Sequence, residues 1–73
     1  MNNHDNAVYM IEKEIAEIPD TQFPVLAGSV SRMAVFMAER LDAITSVERD
    51  QYLKQIRMLE ITRYVELLKG EAA

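Results

Sequence analysis

The sequence contains no cysteine, so neither a disulfide bond nor a thiolate metal site can form. Its one histidine, His4, cannot by itself provide a metal site or a base for a nucleophile. No glycine-rich phosphate loop is present, and Ser29 and Ser31 lack the G-x-S-x-G spacing of a nucleophile elbow. We therefore expect that the protein is not an enzyme, and we expect no catalytic residue, cofactor or metal ion.

Long apolar runs are also missing. The longest is MAVFMA, Met33 to Ala38, whereas a membrane-spanning helix needs about 20 apolar residues. The N-terminus lacks the basic segment followed by an apolar segment that marks a signal peptide. Together with the absence of cysteine, these features predict a cytoplasmic protein without a membrane segment.

Positive charge is scarce in the first third of the chain. The net charge is −4, and all of it lies before Val25, where the charges of five acidic residues are balanced by Lys13 alone. Such a balance disfavours nucleic acid and anionic membranes as partners. Four of the carboxylates are interpreted as an acidic docking surface for a partner protein: Glu12, Glu14, Glu17 and Asp20.

With 73 residues the chain is long enough for one small domain, and its pattern is helical throughout. The prolines, Pro19 and Pro24, separate a short helix from two long ones, and Gly70 follows the last. The fold class predicted is all-α, an antiparallel helical hairpin with a short N-terminal helix. The expected bounds are a disordered arm 1–5, helix 1 over 6–18, helix 2 over 24–43 and helix 3 over 46–69.

Helix 2 carries large apolar residues at alternating four- and three-residue steps, with small residues beside them. This pattern resembles the heptad of a coiled coil, and we expect it to face the core, Met33 and Met37 included. Gly28 lowers helix stability, so the helix is expected to fray or to begin after it. The large residues are Leu26, Val30, Met33, Met37, Leu41 and Ile44.

Helix 3 begins with a T-x-x-E capping box, Thr45 to Glu48, only two or three residues after helix 2. So short a connection makes the two helices antiparallel. Helix 3 is apolar on two sides, one of which contains Ile56, and a helix of this kind is buried on more than one side. The other side, with one residue of helix 2, predicts an interface between two copies: Phe36, Met58, Ile61, Val65 and Leu68.

Two arrangements satisfy this pattern. In the first, two hairpins pair through that interface into a helical-bundle homodimer. In the second, helix 1 and helix 2 cover both sides of helix 3 within a compact monomeric three-helix bundle. We favour the homodimer, because three short helices leave much of the last one uncovered.

The stretch RLDAITSVERDQYLKQIRMLEITRY, Arg40 to Tyr64, resembles the second half of the YmgB/AriR family of small enterobacterial connector proteins. The shared feature is a helix ending in a leucine-bearing turn, then a threonine-containing loop with an acidic first turn, then a long helix. The resemblance spans about a third of the chain. It implies a helical hairpin that dimerises and regulates through protein contacts, in biofilm or acid-stress signalling.

The function expected is that of a small regulatory protein which binds and modulates an unidentified partner protein as a homodimer. A DNA-associated transcriptional regulator is one alternative, and it requires a basic patch on the assembled dimer. A phage- or plasmid-encoded inhibitor of a host protein is another. In that case Asp5 and the acidic docking surface would occupy the host protein's site.

Overall fold

The computed structural model describes residues 2–72, and over this range the chain forms only helices and their connections. The described elements are α1, Asn3–Ala16; α2, Pro24–Arg40; and α3, Ser46–Ala72; a single turn of 3-10 helix covers Ile18–Asp20. The all-α class predicted from the sequence is confirmed. No helix in this part of the chain combines the length and the apolar character needed to cross a membrane.

Helix α1 begins earlier than the sequence pattern indicated. The side-chain oxygen of Asn2 accepts a hydrogen bond from the Asp5 backbone N–H at 2.7 Å, so Asn2 is the N-cap. Residues 3–5 are therefore helical, and the expected arm 1–5 is wrong for them; Met1 lies outside the described residues. Two other asparagines follow Asn2 closely, and apolar periodicity alone cannot decide which of them caps the helix.

The connection from α1 to α2 is fixed at both ends. Pro19 stops α1, and Pro24 occupies the first turn of α2, where a missing N–H costs nothing. Between them the Thr21 hydroxyl accepts the Phe23 N–H at 3.0 Å, and Arg63 donates to the Thr21 carbonyl at 2.7 Å. The turn is thereby tied to the middle of α3.

Helix α2 ends at Arg40 and not at residue 43 as expected. Asp42 has a φ of 58°, in the left-handed region, and its N–H bonds the Glu39 carbonyl at 2.9 Å. The Ala43 N–H bonds the Ala38 carbonyl at 2.8 Å, which completes a Schellman motif. The connection is longer than predicted because this motif, formed here without glycine, stops the helix before the threonine cap.

Helix α3 begins with the capping box predicted from the sequence. The Glu48 N–H donates to the Thr45 hydroxyl at 3.1 Å, and the Glu48 carboxylate accepts the Thr45 N–H at 2.9 Å. The helix continues through Gly70 to Ala72, past the expected end at residue 69. It runs antiparallel to α2, since Arg49 pairs with Glu39 at 2.7 Å near the turn that joins the two helices.

Helix α1 packs against α2, the 3-10 turn Ile18–Asp20 packs against α3, and the core lies where these contacts meet. The first turn of α1 contacts the start of α3, because His4 reaches Glu48. The three- and four-residue spacing of Val8, Ile11, Ile15 and Ile18 predicts an apolar stripe on helix 1, and all of these residues except the half-buried Val8 lie in the core. The buried apolar residues are Ile11, Ile15, Ile18, Val35, Ala38, Ile44 and Ile56.

The face of α2 that packs in the core is roughly opposite the face predicted from the sequence. Its small residues face inward: Gly28, Ser31 and Ala38 are buried beside Val35. The Ser31 hydroxyl satisfies itself by donating to the Ala27 carbonyl at 2.9 Å. Small side chains let neighbouring backbones approach closely. The face of small residues therefore packs against the other helices, and the face of large residues is exposed to solvent. The expectation that the large residues of helix 2 lie in the core is wrong for Leu26, Val30, Met33, Met37 and Leu41; only Ile44, which follows the end of α2, is buried.

Candidate interaction surfaces

The five residues predicted as a dimer interface all lie on the surface, with 40–62% of each side chain exposed. We call Phe36, Met58, Ile61, Val65 and Leu68 the open-face patch. Phe36 stands nine residues, or two and a half helical turns, from Ala27, which faces α1. The patch is therefore on the side of the hairpin that α1 does not cover.

The open-face patch is continuous across the two helices of the hairpin. Phe36 of α2 and Ile61 of α3 line one depression of about 470 Å³, together with Leu53 and three charged side chains. Met58 and Val65 lie three and four residues from Ile61, so they adjoin it on the surface of α3. The structure thus brings together residues that the sequence separates by more than twenty positions.

A carboxylate is held at the bottom of this depression. One oxygen of Glu60 accepts a hydrogen bond from Arg32 at 2.9 Å, which joins α3 to α2. Its second oxygen is buried and has no hydrogen-bond partner within residues 2–72, and it lies where a β-carbon at position 28 would stand. Any larger residue at position 28 would therefore displace the Glu60 carboxylate. Gly28 lies inside α2, so the expectation that the helix begins after it is wrong.

A second apolar surface was missed by the sequence reasoning, which had assigned its residues to the core. We call it the outer stripe, and its side chains are 43–73% exposed. A shallow depression of about 930 Å³ holds Met33 and Met37 together with Phe36, so the outer stripe adjoins the open-face patch. The face of small residues on the same helix was the available signal for this orientation. The outer stripe consists of Leu26, Val30, Met33, Met37 and Leu41.

The predicted acidic docking surface is divided by the fold. Glu14 and Glu17 lie beside α2, where they line a depression with Leu26 and Val30. Glu12 is on another side of α1, close enough to α3 to act on Tyr52, whose pKa is raised by burial and by the charges of Glu12 and Glu48. The remaining member of the surface, Asp20, is in the 3-10 turn. Within residues 2–72 none of the four carboxylates takes part in an ion pair.

His4 contacts the capping box of α3. Its Nε2 lies 2.7 Å from a carboxylate oxygen of Glu48, and its Nδ1 lies 3.5 Å from Asp5. The hydrogen bonds to Glu48 and Asp5 raise the pKa of His4, and the hydrogen bond from His4 lowers the pKa of Glu48. The sequence predicts a disordered arm at this position, but this histidine joins the first turn of α1 to the first turn of α3.

In the described part of the chain no group of three or more histidine or acidic side chains is placed to hold a metal ion. The comparisons with known proteins found no matching family model, no matching curated protein and no matching solved structure. The resemblance of Arg40–Tyr64 to the YmgB/AriR family stays a prediction. Function is therefore argued from the exposed surfaces alone.

Proposed function

We propose that this protein is a small regulator that forms a homodimer and modulates a partner protein through direct contact. The observation that supports it best is the open-face patch, a continuous apolar surface that the chain does not cover. Contiguous exposed apolar surface of this kind marks interaction sites on small proteins. The proposal places this function in the cytoplasm, as the sequence predicts.

The total exposed area supports association. The chain exposes 5320 Å², whereas a compact monomer of 8.4 kDa exposes about 4,600 Å². The difference, about 700 Å², is close to the roughly 800 Å² that each partner buries in an interface of ordinary size. The chain is elongated, 46 × 20 × 13 Å, and it exposes enough surface for a contact of that size.

The homodimer pairs two hairpins through their open-face patches into a four-helix arrangement. A two-fold axis through Ile61 brings each patch against its own copy, which is the self-complementary contact that such symmetry requires. Burying the exposed half of ten side chains contributes about 8–15 kcal/mol, comparable with the ~4–15 kcal/mol cost of association. Because the two ranges overlap, the dimer is weak, and its population depends on protein concentration.

Affinity capture with a matched variant tests the regulatory function. The wild type, immobilised and exposed to an extract of its native cell, is expected to retain one protein in constant proportion. The variant Ile61→Asp/Val65→Asp is expected to retain much less of that protein while keeping its helical circular dichroism, because a monomer presents one copy of each binding surface where the dimer presents two. Equal retention by both forms would contradict the assignment of function to the dimer.

The unpaired carboxylates of α1 favour a second candidate, an inhibitor that occupies a basic site on its target. In that case the interaction depends on charge more than on the open-face patch, so it weakens as salt concentration rises. Replacing Glu12, Glu14 and Glu17 by glutamine would then abolish capture, whereas Ile61→Asp/Val65→Asp would leave it intact.

A further inference from the structure

The open-face patch is one of two uncovered apolar surfaces, and the other has a distinct chemistry. The outer stripe runs along α2, and where α2 begins its residues line a depression of about 190 Å³ with Glu14 and Glu17 at the end of α1. Ala27 and Ala34, both half-buried and two helical turns apart, lie on the side of α2 toward α1. We call the outer stripe together with this depression the α1–α2 groove.

The wall of the groove formed by α2 is apolar and long. Leu26 and Leu41 are its ends, fifteen residues and about 22 Å apart along the helix axis. The large residues of this wall recur at four- and three-residue steps. A partner helix of about four turns with apolar residues at the same steps along one side would match them. Met33 and Met37 lie near the middle of the wall, and flexible thioether side chains adapt to partners of varied shape.

The wall formed by α1 is acidic. Glu14 and Glu17 line a depression with Leu26, Ala27 and Val30, and neither glutamate has an ion-pair partner in the range 2–72. Met10, 53% exposed, lies one turn earlier on the same side of α1. The groove therefore has an apolar side on α2 and, at the end where α2 begins, two glutamates at the end of α1 that have no ion-pair partner within residues 2–72.

We propose that the α1–α2 groove binds an amphipathic helix of the regulated protein, with leucine-like residues on one side and lysines or arginines flanking them. Docking of an apolar helix face into an apolar groove is a common mode of recognition, read at i, i+3, i+4 and i+7. Glu14 and Glu17 select for positive flanking charge and against negative charge.

A second copy of this chain fits the groove poorly. Its α1 would bring further glutamates against Glu14 and Glu17, and its α2 has no lysine and only two arginines, of which Arg32 is paired with Glu60. Its α3 has five basic residues, but the apolar side of that helix is already used by the open-face contact of the proposed dimer. The partner named here is therefore a different protein. This inference rests on the proposed function, because it specifies the chemistry of the partner that the dimer regulates.

Two synthetic helical peptides serve as probes in a fluorescence anisotropy titration. Both have 18 residues with leucines at four- and three-residue spacing; the flanking positions are lysine in one and glutamate in the other. The lysine peptide is expected to bind the wild-type protein at least about tenfold more tightly than the glutamate peptide, with affinity that falls as salt rises. Equal binding of the two peptides would overturn the proposal.

Matched variants locate the binding site. Glu14→Gln/Glu17→Gln is expected to weaken binding of the lysine peptide about three- to tenfold. Glu12→Gln/Asp20→Asn removes the same charge elsewhere on the N-terminal segment, and it is expected to bind within about twofold of the wild type. Equal weakening in both variants would show unspecific attraction to an acidic protein, and the groove would not be the site.

An uncharged pair of variants tests the apolar wall. Val30→Ser/Met37→Ser is expected to weaken peptide binding more than about tenfold, whereas Ile61→Ser/Val65→Ser abolishes dimerisation and leaves peptide binding unchanged. The second variant separates this inference from the proposed dimer, since each can fail alone. If Val30→Ser/Met37→Ser instead lowers the molar mass of the protein without peptide, a second copy fills the groove and the proposal is wrong.

Discussion

Gly28 and Glu60 fit one another across the α2–α3 contact: the carboxylate of Glu60 takes the place of a β-carbon at position 28. The same carboxylate is held by Arg32 from the next turn of α2. A glycine in mid-helix is unfavourable by about 1 kcal/mol relative to alanine, and here it admits an interhelical ion pair. The pairing fixes the register of α3 along α2.

The pair can be tested by a double-mutant cycle. Gly28→Ala in the Glu60→Ala background is expected to stabilise the protein by about 1 kcal/mol, because only the helix propensity changes. In the wild type the same substitution displaces Glu60 from Arg32, so the gain is expected to shrink or become a loss. Urea unfolding of the four proteins measures the coupling. Equal effects in both backgrounds would show that Gly28 is not there to admit Glu60.

The orientation of α2 predicts unequal costs for two neighbouring truncations. Val35 is 0% exposed and Met33 is 65% exposed. Val35→Ala is expected to cost about 2 kcal/mol, the lost transfer free energy plus a cavity. Met33→Ala is expected to stay within about 0.5 kcal/mol of the wild type in dilute protein. Thermal or urea unfolding of both variants decides the point, and a reversed order of the two costs would mean that α2 faces the other way.

The capping box of α3 predicts a loss that is local to its first turn. Thr45→Ala removes the acceptor of the Glu48 N–H and is expected to destabilise the protein by about 1 kcal/mol. Ser46→Ala at the next position is the control, because Ser46 makes no capping hydrogen bond to the α3 backbone in the described chain. Chemical unfolding compares the two. Equal destabilisation by both substitutions would show that Thr45 does not cap α3.

The contact between His4 and Glu48 predicts a pH dependence. The pKa of His4 is raised, so its contribution to stability is full below the ordinary value near 6.5 and disappears as pH rises through the raised value. The pKa of Glu48 is lowered, so its contribution is lost only in acid, as pH falls through that lowered value. His4→Gln should therefore match the wild type at alkaline pH and be less stable between these limits. Unfolding at several pH values and an NMR titration of His4 measure this, and a pH-independent difference would contradict the pairing.

Periodicity and capping patterns in the sequence were enough to predict the helices. The stripe of Ile11, Ile15 and Ile18 and the box of Thr45 and Glu48 are local signals, and both are found as expected. The end of α2 was not predictable in the same way. Asp42 takes the left-handed conformation that glycine usually provides, and nothing in the local sequence announces it.

The orientation of α2 was mispredicted for a physical reason. Apolar periodicity identifies a face of large residues, and such a face is normally the one that packs in the core. In this helix the face of Gly28, Ser31 and Ala38 permits closer backbone contact, and at Gly28 it leaves room for the Glu60 carboxylate. The exposed positions of the open-face patch on α3 did follow from the sequence, because Ile56 on the other side already supplied a packing surface.

The most direct test of the account is the molar mass of the protein in solution as its concentration is raised, measured by light scattering for three forms. The wild type is expected to rise from 8.4 kDa toward twice that mass. Ile61→Asp/Val65→Asp is expected to stay at 8.4 kDa, while Gln55→Asp/Thr62→Asp, on the polar side of α3, dimerises like the wild type. A wild type that remains monomeric at every concentration, or a patch variant that dimerises normally, would contradict the claim that the open-face patch joins two copies.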